Sequence, residues 1–155
     1  MANDALSSQK LIKVSLATFD DFSRIHAIDI ETNISPWTLD QIKSSFQAGH
    51  IALKATFEAE LIGFLIYEPI FPEAHLLSIA VESKHQSNGI GKLLLKTLLQ
   101  QAKAQDIKIV YLEVRQSNYK AIKLYESLGF IKDAIRVAYY SKPQPEDALL
   151  MSIAL

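Results

Sequence analysis

Apolar and polar residues alternate along the chain with two different periods, and the period predicts the type of each element. Segments of period two, or short apolar runs bounded by turn residues, predict strands at 11–17, 50–57, 61–70, 73–81, 107–114, 135–141 and 147–155. Segments with apolar residues three and four apart predict helices at 19–31, between Thr38 and Gly49, at 89–105 and at 118–130.

Two of the predicted helices begin with the spacing of a capping box. Thr18 is followed three residues later by Asp21, and Thr38 is followed by Gln41. In such a pair, the first side chain accepts a hydrogen bond from a backbone N–H in the first turn of the helix, and the second side chain accepts one from the backbone N–H of the first residue. We therefore expect helices to begin at both places, with Gly49 ending the second one.

The order of elements predicts how the strands pair. The strand, helix and strand between residues 73 and 114 should form a right-handed crossover that joins two parallel strands. The strands before and after it follow one another through short turns, as antiparallel hairpins do. The sequence thus predicts an α/β (α+β) fold with one mixed, mostly antiparallel seven-stranded sheet, a central parallel crossover pair and helices on both faces.

Composition adds a domain count and excludes several classes of protein. With 155 residues, 49% of them apolar and 21% charged, the chain should fold as one globular domain over residues 11–155 after a disordered tail at 1–10. A net charge of −1 gives no general attraction to nucleic acid, so we expect no nucleic-acid partner. The absence of cysteine excludes disulfides and thiolate chemistry.

The sequence indicates no targeting segment. The amino terminus has no signal peptide, and no apolar run approaches the length of a membrane span. We therefore expect a cytoplasmic protein without a membrane partner, and we expect a monomer, although the sequence carries no direct signal of assembly.

The two glycines in "HQSNGIGKLLL" (85–95) lie between a predicted strand and a predicted helix. The segment lacks the third glycine of a dinucleotide fingerprint, where Leu94 stands, and the Lys-Ser/Thr pair of a P-loop, since Leu93 follows Lys92. A tight turn entering a helix is one interpretation. The other is an anion site, because Gly89 and Gly91 let an anion approach the backbone N–H groups of a helix start.

Gln86-x-x-Gly89-x-Gly91, after the strand "LLSIAV", resembles the acetyl-coenzyme A signature of the GNAT superfamily of N-acetyltransferases. The segment "LEVRQSNYKAIKLYESLGF" (112–130) closely resembles the RimI-type family, bacterial enzymes that acetylate the N-terminal alanine of a small-subunit ribosomal protein. "SPW" (35–37) and "EDALLMSIAL" (146–155) are similar to that family's helix-linking loop and last strand. The element order matches the superfamily over nearly the whole chain.

The resemblance implies acetyl-coenzyme A as co-substrate, with strands that splay apart so that its pantetheine arm can bond like an extra strand. A backbone N–H within 79–81 would stabilise the oxyanion. We expect no metal, since the four histidines have no metal-ligand spacing. The coenzyme-binding residues that we predict are Ile79, Ala80, Val81, Gln86, Ser87, Asn88, Gly89, Ile90, Gly91, Lys92 and Asn118. Capping of the helix would by itself explain Asn118.

Two residues are candidates for proton transfer. An α-amine has a pKa of about 7.7–8.0, so a base is needed to make it a nucleophile at neutral pH. Glu113 shares a mostly apolar strand face with Ile109 and Tyr111, and partial burial there would raise its pKa. Taken alone, the sequence favours a solvated rim carboxylate at Glu113 and a packing role for Tyr125. The resemblance implies that Glu113 is the proton acceptor and Tyr125 the proton donor.

The acceptor is expected to be the N-terminal peptide of a protein, ribosomal according to the resemblance, bound by Trp37 and Tyr139. The chain departs from the family at Ser87, where a basic residue is usual, and at "RVAYY" (136–140), where the family has R-R-x-Y-Y. The second departure borders the family's acceptor site. Acetylation of a small-molecule amine or of another protein, and a non-catalytic coenzyme A-binding module, are the alternatives.

Overall fold

The computed structural model describes residues 11–155, and the predicted tail at 1–10 lies outside the described residues. Within 11–155 the strands and helices follow one another in the predicted order. The elements are β1 (Lys13–Leu16), α1 (Phe22–Thr32), α2 (Leu39–Gln47), β2 (Ile51–Phe57), β3 (Glu60–Ile70), β4 (Glu73–Val81), α3 (Ile90–Ala104), β5 (Ile109–Arg115), α4 (Tyr119–Ser127), β6 (Ile131–Tyr140) and β7 (Glu146–Ala154).

These strands form a seven-stranded sheet in the order β1-β2-β3-β4-β5-β7-β6. It is mostly antiparallel, and β4 with β5 is the parallel pair that the crossover prediction requires. The predicted fold class is therefore confirmed. Pairing of β4 with β5 runs from Glu73↔Ile109 to His75↔Tyr111, although both strands continue beyond that point.

The chain divides into two compact units, and the first comprises the described residues up to Tyr67 together with Ser78–Thr97. The apolar stripe of α1 buries Phe22, Ile25 and Ile28 at the helical spacing that the sequence shows. Phe22 also packs edge-on against Phe46 of α2, with ring centroids 4.6 Å apart. The hydrophobic effect of these buried side chains fixes α1 in the unit.

The second unit comprises Glu68–Leu77 and Leu98–Leu155. On β5, Val110, Leu112 and Val114 are buried on one face, as the period of two requires. Since β5 pairs antiparallel with β7 along its whole length, it is held firmly at the centre of this unit. That the whole of 11–155 forms a single domain stays a prediction.

Several boundaries differ from the predicted ones, and the largest difference is at the start of β6. β6 begins at Ile131, four residues before the predicted start. Its register with β7 shifts between Lys132 and Ala134 and leaves Asp133 in a bulge, which explains why the pattern did not predict this part of the strand. A bulge interrupts the alternation of polar and apolar residues that the sequence would otherwise show. The first capping pattern begins a 3₁₀ turn at Phe19–Asp21, which precedes α1.

The capping box of α2 is confirmed. The Thr38 N–H donates to Gln41 Oε1 at 2.8 Å, and the Gln41 N–H donates to Thr38 Oγ1 at 3.1 Å. Across residues 11–155, none of the helices combines the length and the apolar character that crossing a membrane would require.

Candidate active site

The loop between β4 and α3 has the backbone shape that an anion site needs. Gln86 Nε2 donates to the Val81 carbonyl at 3.0 Å and so ties the loop to the end of β4. Ser87 and Gly89 have positive φ angles of 66° and 78°. The Leu93 N–H donates to the Gly89 carbonyl at 3.0 Å, which starts the hydrogen-bond ladder of α3.

The start of α3 gives this loop backbone donors that are suited to an anion. The N–H groups of Ile90, Gly91 and Lys92 lie in the first turn of α3, where a helix has no internal acceptors for them. The start of the helix adds about half a positive charge. The left-handed backbone of Gly89 favours glycine, since a Cβ would strain it. These donors would hold the phosphates of acetyl-coenzyme A, and the coenzyme supplies an activated acetyl thioester when bound.

Helix α1 anchors the turn at Ser83–His85 that precedes this loop. The buried carboxylate of Glu82 lies 2.9 Å from Arg24 Nη2, and Arg24 Nε donates to the Leu61 carbonyl at 3.0 Å. The Ser83 N–H donates to Glu31 Oε1 at 3.1 Å, and hydrogen bonds from Ser83 lower the pKa of Glu31. These contacts with α1 therefore fix the start of the loop.

Glu113 is exposed, as a solvated rim carboxylate should be, and it is not partly buried on the apolar strand face. Its strand neighbours Ile109 and Tyr111 are half-buried, as expected, but the carboxylate reaches water beyond them. A charged carboxylate keeps its hydration where it can, because an apolar face offers nothing in exchange. Glu113 can thus pass a proton directly to solvent.

Tyr125 is a buried side chain with 5% of its surface exposed, and its ring centroid is 5.8 Å from that of Phe130. Burial raises the pKa of Tyr125 far above its usual value, and Tyr140 raises it further. The hydroxyl is therefore held in its protonated form at any physiological pH. A protonated group is what a proton donor to a leaving thiolate requires.

Tyr140 lies in the second unit, together with Glu113 and Tyr125, and the sequence patterns did not identify it as a candidate site residue. Burial raises its pKa to about 12, and the nearby charges of Glu113 and Tyr139 contribute in the same direction. Tyr140 in turn contributes to the raised pKa of Tyr125, after the larger effect of burial. The period of two could have suggested it, since Tyr140 must point to the opposite face from its neighbour Tyr139.

Arg115 holds Tyr140 and the turn that follows it. Its Cζ is 4.2 Å from the Tyr140 ring centroid, its Nη1 is 3.4 Å from Glu146 Oε1, and its Nη2 donates to the Lys142 carbonyl at 2.5 Å. Glu146 Oε2 accepts from the N–H and the hydroxyl of Ser117, at 3.1 and 2.6 Å. This network connects the end of β5 to the β6–β7 turn.

Asn118 caps α4, because its Oδ1 accepts from the Ala121 N–H at 3.2 Å. Capping explains the position of Asn118 without any ligand. Its predicted contact with the coenzyme stays a prediction.

The two predicted acceptor residues have different surroundings. Trp37 is half-buried, and its backbone N–H donates to Asp29 Oδ2 at 2.7 Å. Tyr139 is exposed, with the guanidinium of Arg136 5.1 Å from its ring centroid.

The predicted residues divide between the two units. The first unit holds Trp37 and the predicted coenzyme set at 79–81 and 86–92, and the second holds Glu113, Tyr125, Asn118 and Tyr139. Within 11–155, no group of three or more histidine, cysteine, aspartate or glutamate side chains is arranged to hold a metal ion.

Residues 17–130 match the model of the family described as Acetyltransferase (GNAT) family. The chain belongs to the GNAT family. Members of this family use acetyl-coenzyme A as co-substrate, and the chain is accordingly an acetyltransferase of the GNAT type.

Several relatives of this GNAT chain are similar over most of their length. It is 36% identical over 137 residues to a ribosomal protein bS18-alanine N-acetyltransferase of Haemophilus ducreyi, covering 87% of this chain and 94% of the relative. The Escherichia coli protein of that name is 33% identical over 142 residues, covering 91% and 95% of the two chains.

Solved structures agree with the fold. The crystal structure of the ribosomal-protein-S18-alanine N-acetyltransferase from Escherichia coli superposes with a TM-score of 0.87 at 30% identity, covering 92% of this chain and 93% of that one. The structure of Ard1 from Thermoplasma volcanium gives a TM-score of 0.86 at 23% identity, covering 94% and 98%, and supports the fold alone.

Proposed function

We propose that this GNAT protein transfers an acetyl group from acetyl-coenzyme A to the N-terminal α-amine of a protein, the N-terminal alanine of a small-subunit ribosomal protein. The observation that carries the chemistry is the contrast between two side chains of one unit, the exposed Glu113 carboxylate on β5 and the buried Tyr125 hydroxyl on α4. The choice of acceptor is supported by the names of the relatives at 32–36% identity.

The coenzyme residues follow from the loop geometry and the resemblance together. The loop at 86–92 would hold the pyrophosphate, and backbone groups of Ile79, Ala80 and Val81 would bond the pantetheine arm, with Asn118 as a further contact. Support comes from the positive φ of Gly89 and from the end of β4–β5 pairing at His75↔Tyr111.

Proton movements are assigned to two residues of this chain. Glu113 takes a proton from the ammonium group of the acceptor, directly or through water, and returns it to solvent. The neutral amine nitrogen then bonds the acetyl carbon as the carbon–sulfur bond breaks, and the nitrogen releases its second proton to solvent as the amide forms. Tyr125 donates its hydroxyl proton to the leaving sulfur and later regains one.

Donation from a tyrosine to a thiolate is uphill. At reference pKa values of about 10 and 8.5 it costs about 2 kcal/mol, and the burial of Tyr125 adds to this cost. The reference cost is small against a barrier of about 16 kcal/mol, which corresponds to a turnover of about 10 s⁻¹.

Trp37 and Tyr139 are assigned to the acceptor peptide. Both offer aromatic surface that is at least partly exposed, which suits a peptide segment. A ribosomal acceptor places the reaction in the cytoplasm, and a single domain acting as a monomer is sufficient for it.

A panel of acceptors tests the proposal. The panel contains a peptide with the N-terminal sequence of bS18, the same peptide with its α-amine already acetylated, an otherwise identical peptide with a lysine and a blocked N-terminus, and several small amines. Released coenzyme A thiol is the signal, and the chain contributes no thiol because it has no cysteine.

We expect turnover with the free alanine peptide and none with its acetylated copy. Turnover restricted to small amines or to the lysine peptide would overturn the proposed acceptor. Tight coenzyme binding without turnover on any acceptor would overturn the enzymatic proposal and support a binding module.

A further inference from the structure

Asp29 is a buried carboxylate in the last turn of α1, with 2% of its surface exposed. Its Oδ2 accepts from the Trp37 N–H at 2.7 Å, and its Oδ1 accepts from Asn33 Nδ2. Its backbone carbonyl also accepts from the Asn33 N–H, at 2.9 Å. One residue therefore fixes the chain at two later positions.

These bonds determine the course of the segment at 33–38, which connects α1 to α2 and which we call the interhelix loop. Asn33 starts the loop, and the contact with Trp37 fixes it near the other end. Immediately afterwards, the capping box between Thr38 and Gln41 begins α2. Side-chain hydrogen bonds therefore hold the loop at both ends, and the residues that form them are close in sequence.

A carboxylate suits this position better than any neutral group. It accepts hydrogen bonds at both oxygens and donates none, so it satisfies two N–H donors at once. Burying its charge is costly unless such donors compensate, and charge-assisted bonds are stronger than neutral ones. An amide of the same shape would turn an NH₂ group toward one of the two donors.

The interhelix loop carries apolar side chains at the surface. Ile34 is 65% exposed, and Trp37 is half-buried. Exposed apolar side chains on a rigidly held loop are suited to contact a ligand. The proposed function assigns Trp37 to the acceptor peptide.

We propose that Asp29 is a positioning residue for acceptor recognition, whose carboxylate holds the interhelix loop so that Ile34 and Trp37 meet the first residues of the acceptor. The inference rests on the proposed function. Asp29 itself is buried behind the loop and acts through the backbone of Trp37.

The test compares Asp29→Asn with Asp40→Asn. Asp40 lies in the first turn of α2, close to the same loop, and its exposed side chain loses the same charge. Trp37 is the only tryptophan of the chain, so intrinsic emission reports on the loop directly. The measurements are tryptophan emission, KM and kcat for the alanine peptide, and the Kd for coenzyme A.

For Asp29→Asn we expect a changed emission spectrum and a KM for the peptide that is higher by about tenfold, with kcat and the coenzyme Kd within about twofold. Asp40→Asn should match the wild type in all four. A merely structural role of Asp29 would lower the unfolding midpoint without this selective change in KM.

Should Asp29→Asn not fold, Asn33→Ala removes the donor to Oδ1 and should raise the peptide KM in the same direction by a smaller factor. An active wild-type enzyme together with an unchanged peptide KM in the folded variant would overturn the inference and leave the proposed function intact. A wild-type enzyme that acetylates no α-amine would instead overturn the proposed function, and this inference with it.

Discussion

The guanidinium of Arg115 lies over the ring of Tyr140, with Cζ 4.2 Å from the ring centroid. Arg115 stands at the end of β5 and Tyr140 at the end of β6, and β7 lies between these strands in the sheet. The planar guanidinium bridges this distance while it also contacts Glu146 and the Lys142 carbonyl. Through this stack, the end of β5 holds the ring of Tyr140.

Arg115→Lys should therefore destabilise the protein although the charge remains. A lysine ammonium is a point charge and cannot stack on the ring and bond two acceptors at once. We expect a loss of about 1–3 kcal/mol in the free energy of unfolding, measured by urea denaturation. Arg136→Lys is the control, because Arg136 stacks on the exposed ring of Tyr139 and should change stability by less than about 0.5 kcal/mol. Equal losses in the two variants would contradict the role of Arg115.

Tyr125→Phe should reduce kcat by about 10²- to 10⁴-fold, the range typical of a lost general acid. The ring remains buried against Phe130, so the fold and the coenzyme Kd should change little. Tyr119→Phe removes a hydroxyl from the same helix at a side chain that is 72% exposed, and it should keep wild-type turnover. Steady-state kinetics and coenzyme titration check both variants. A Tyr125→Phe enzyme with normal kcat would exclude this residue as the donor.

Glu113→Gln should lose most activity near neutral pH and recover part of it in alkali. Without a base, the enzyme depends on acceptor that is already neutral, and that fraction grows as the pH passes the α-amine pKa of about 8. The deficit relative to wild type should be about 100-fold at pH 7 and smaller above pH 8. Glu126→Gln, which removes an exposed carboxylate from α4, should keep the wild-type profile. A pH–rate profile of Glu113→Gln that parallels the wild type would disprove the assignment.

Gly89→Ala should weaken coenzyme binding through backbone strain. The φ of 78° at Gly89 costs an alanine roughly 1–2 kcal/mol, and the loop can relieve this strain by moving its N–H groups. Gly49→Ala meets a similar φ of 85°, and a Cβ there has no heavy atom within 4 Å. Both variants should lose similar stability, but Gly89→Ala alone should raise the coenzyme Kd, by about tenfold. Calorimetric titration with coenzyme A distinguishes them, and an unchanged Kd would argue against a phosphate site at this loop.

Local patterns were enough to predict most of the fold. Two segments could be predicted because their structures depend on residues that follow one another in the sequence. They are the capping box at Thr38 and Gln41 and the strand–helix–strand segment that ends near Val114. The start of β6 was missed for a physical reason. Asp133 lies in a bulge, and only the pairing of Lys132 and Ala134 with β7 reveals it.

The candidate site was less accessible to prediction. The roles of Glu113 and Tyr125 came from a resemblance, whereas the sequence taken alone correctly favoured a solvated carboxylate at Glu113. Tyr140 was missed because its approach to Glu113 and to Arg115 depends on the order β5-β7-β6, which brings together strands distant in sequence. The hydrogen bond between Asp29 and the Trp37 N–H joins residues that are close in sequence. It forms only in one conformation of the loop between them, and the sequence pattern does not specify that conformation.

The pairing of Glu146 with Ser117 should make stability depend on pH in the acid range. Hydrogen bonds from the Ser117 hydroxyl and N–H, and then from Arg115, lower the pKa of Glu146 below its ordinary value of 4.5. The folded state thus binds the proton less readily than the unfolded state does, and the contribution to stability is complete above pH 4.5. It is lost as the pH falls below 4.5 and through the folded pKa.

Glu146→Gln should therefore show a smaller fall in unfolding free energy across this range than the wild type, measured by denaturation at a series of pH values. Glu58→Gln, in the turn before β3, removes the same charge and should retain the wild-type slope. Parallel slopes for Glu146→Gln and the wild type would mean that this contact contributes nothing to acid sensitivity.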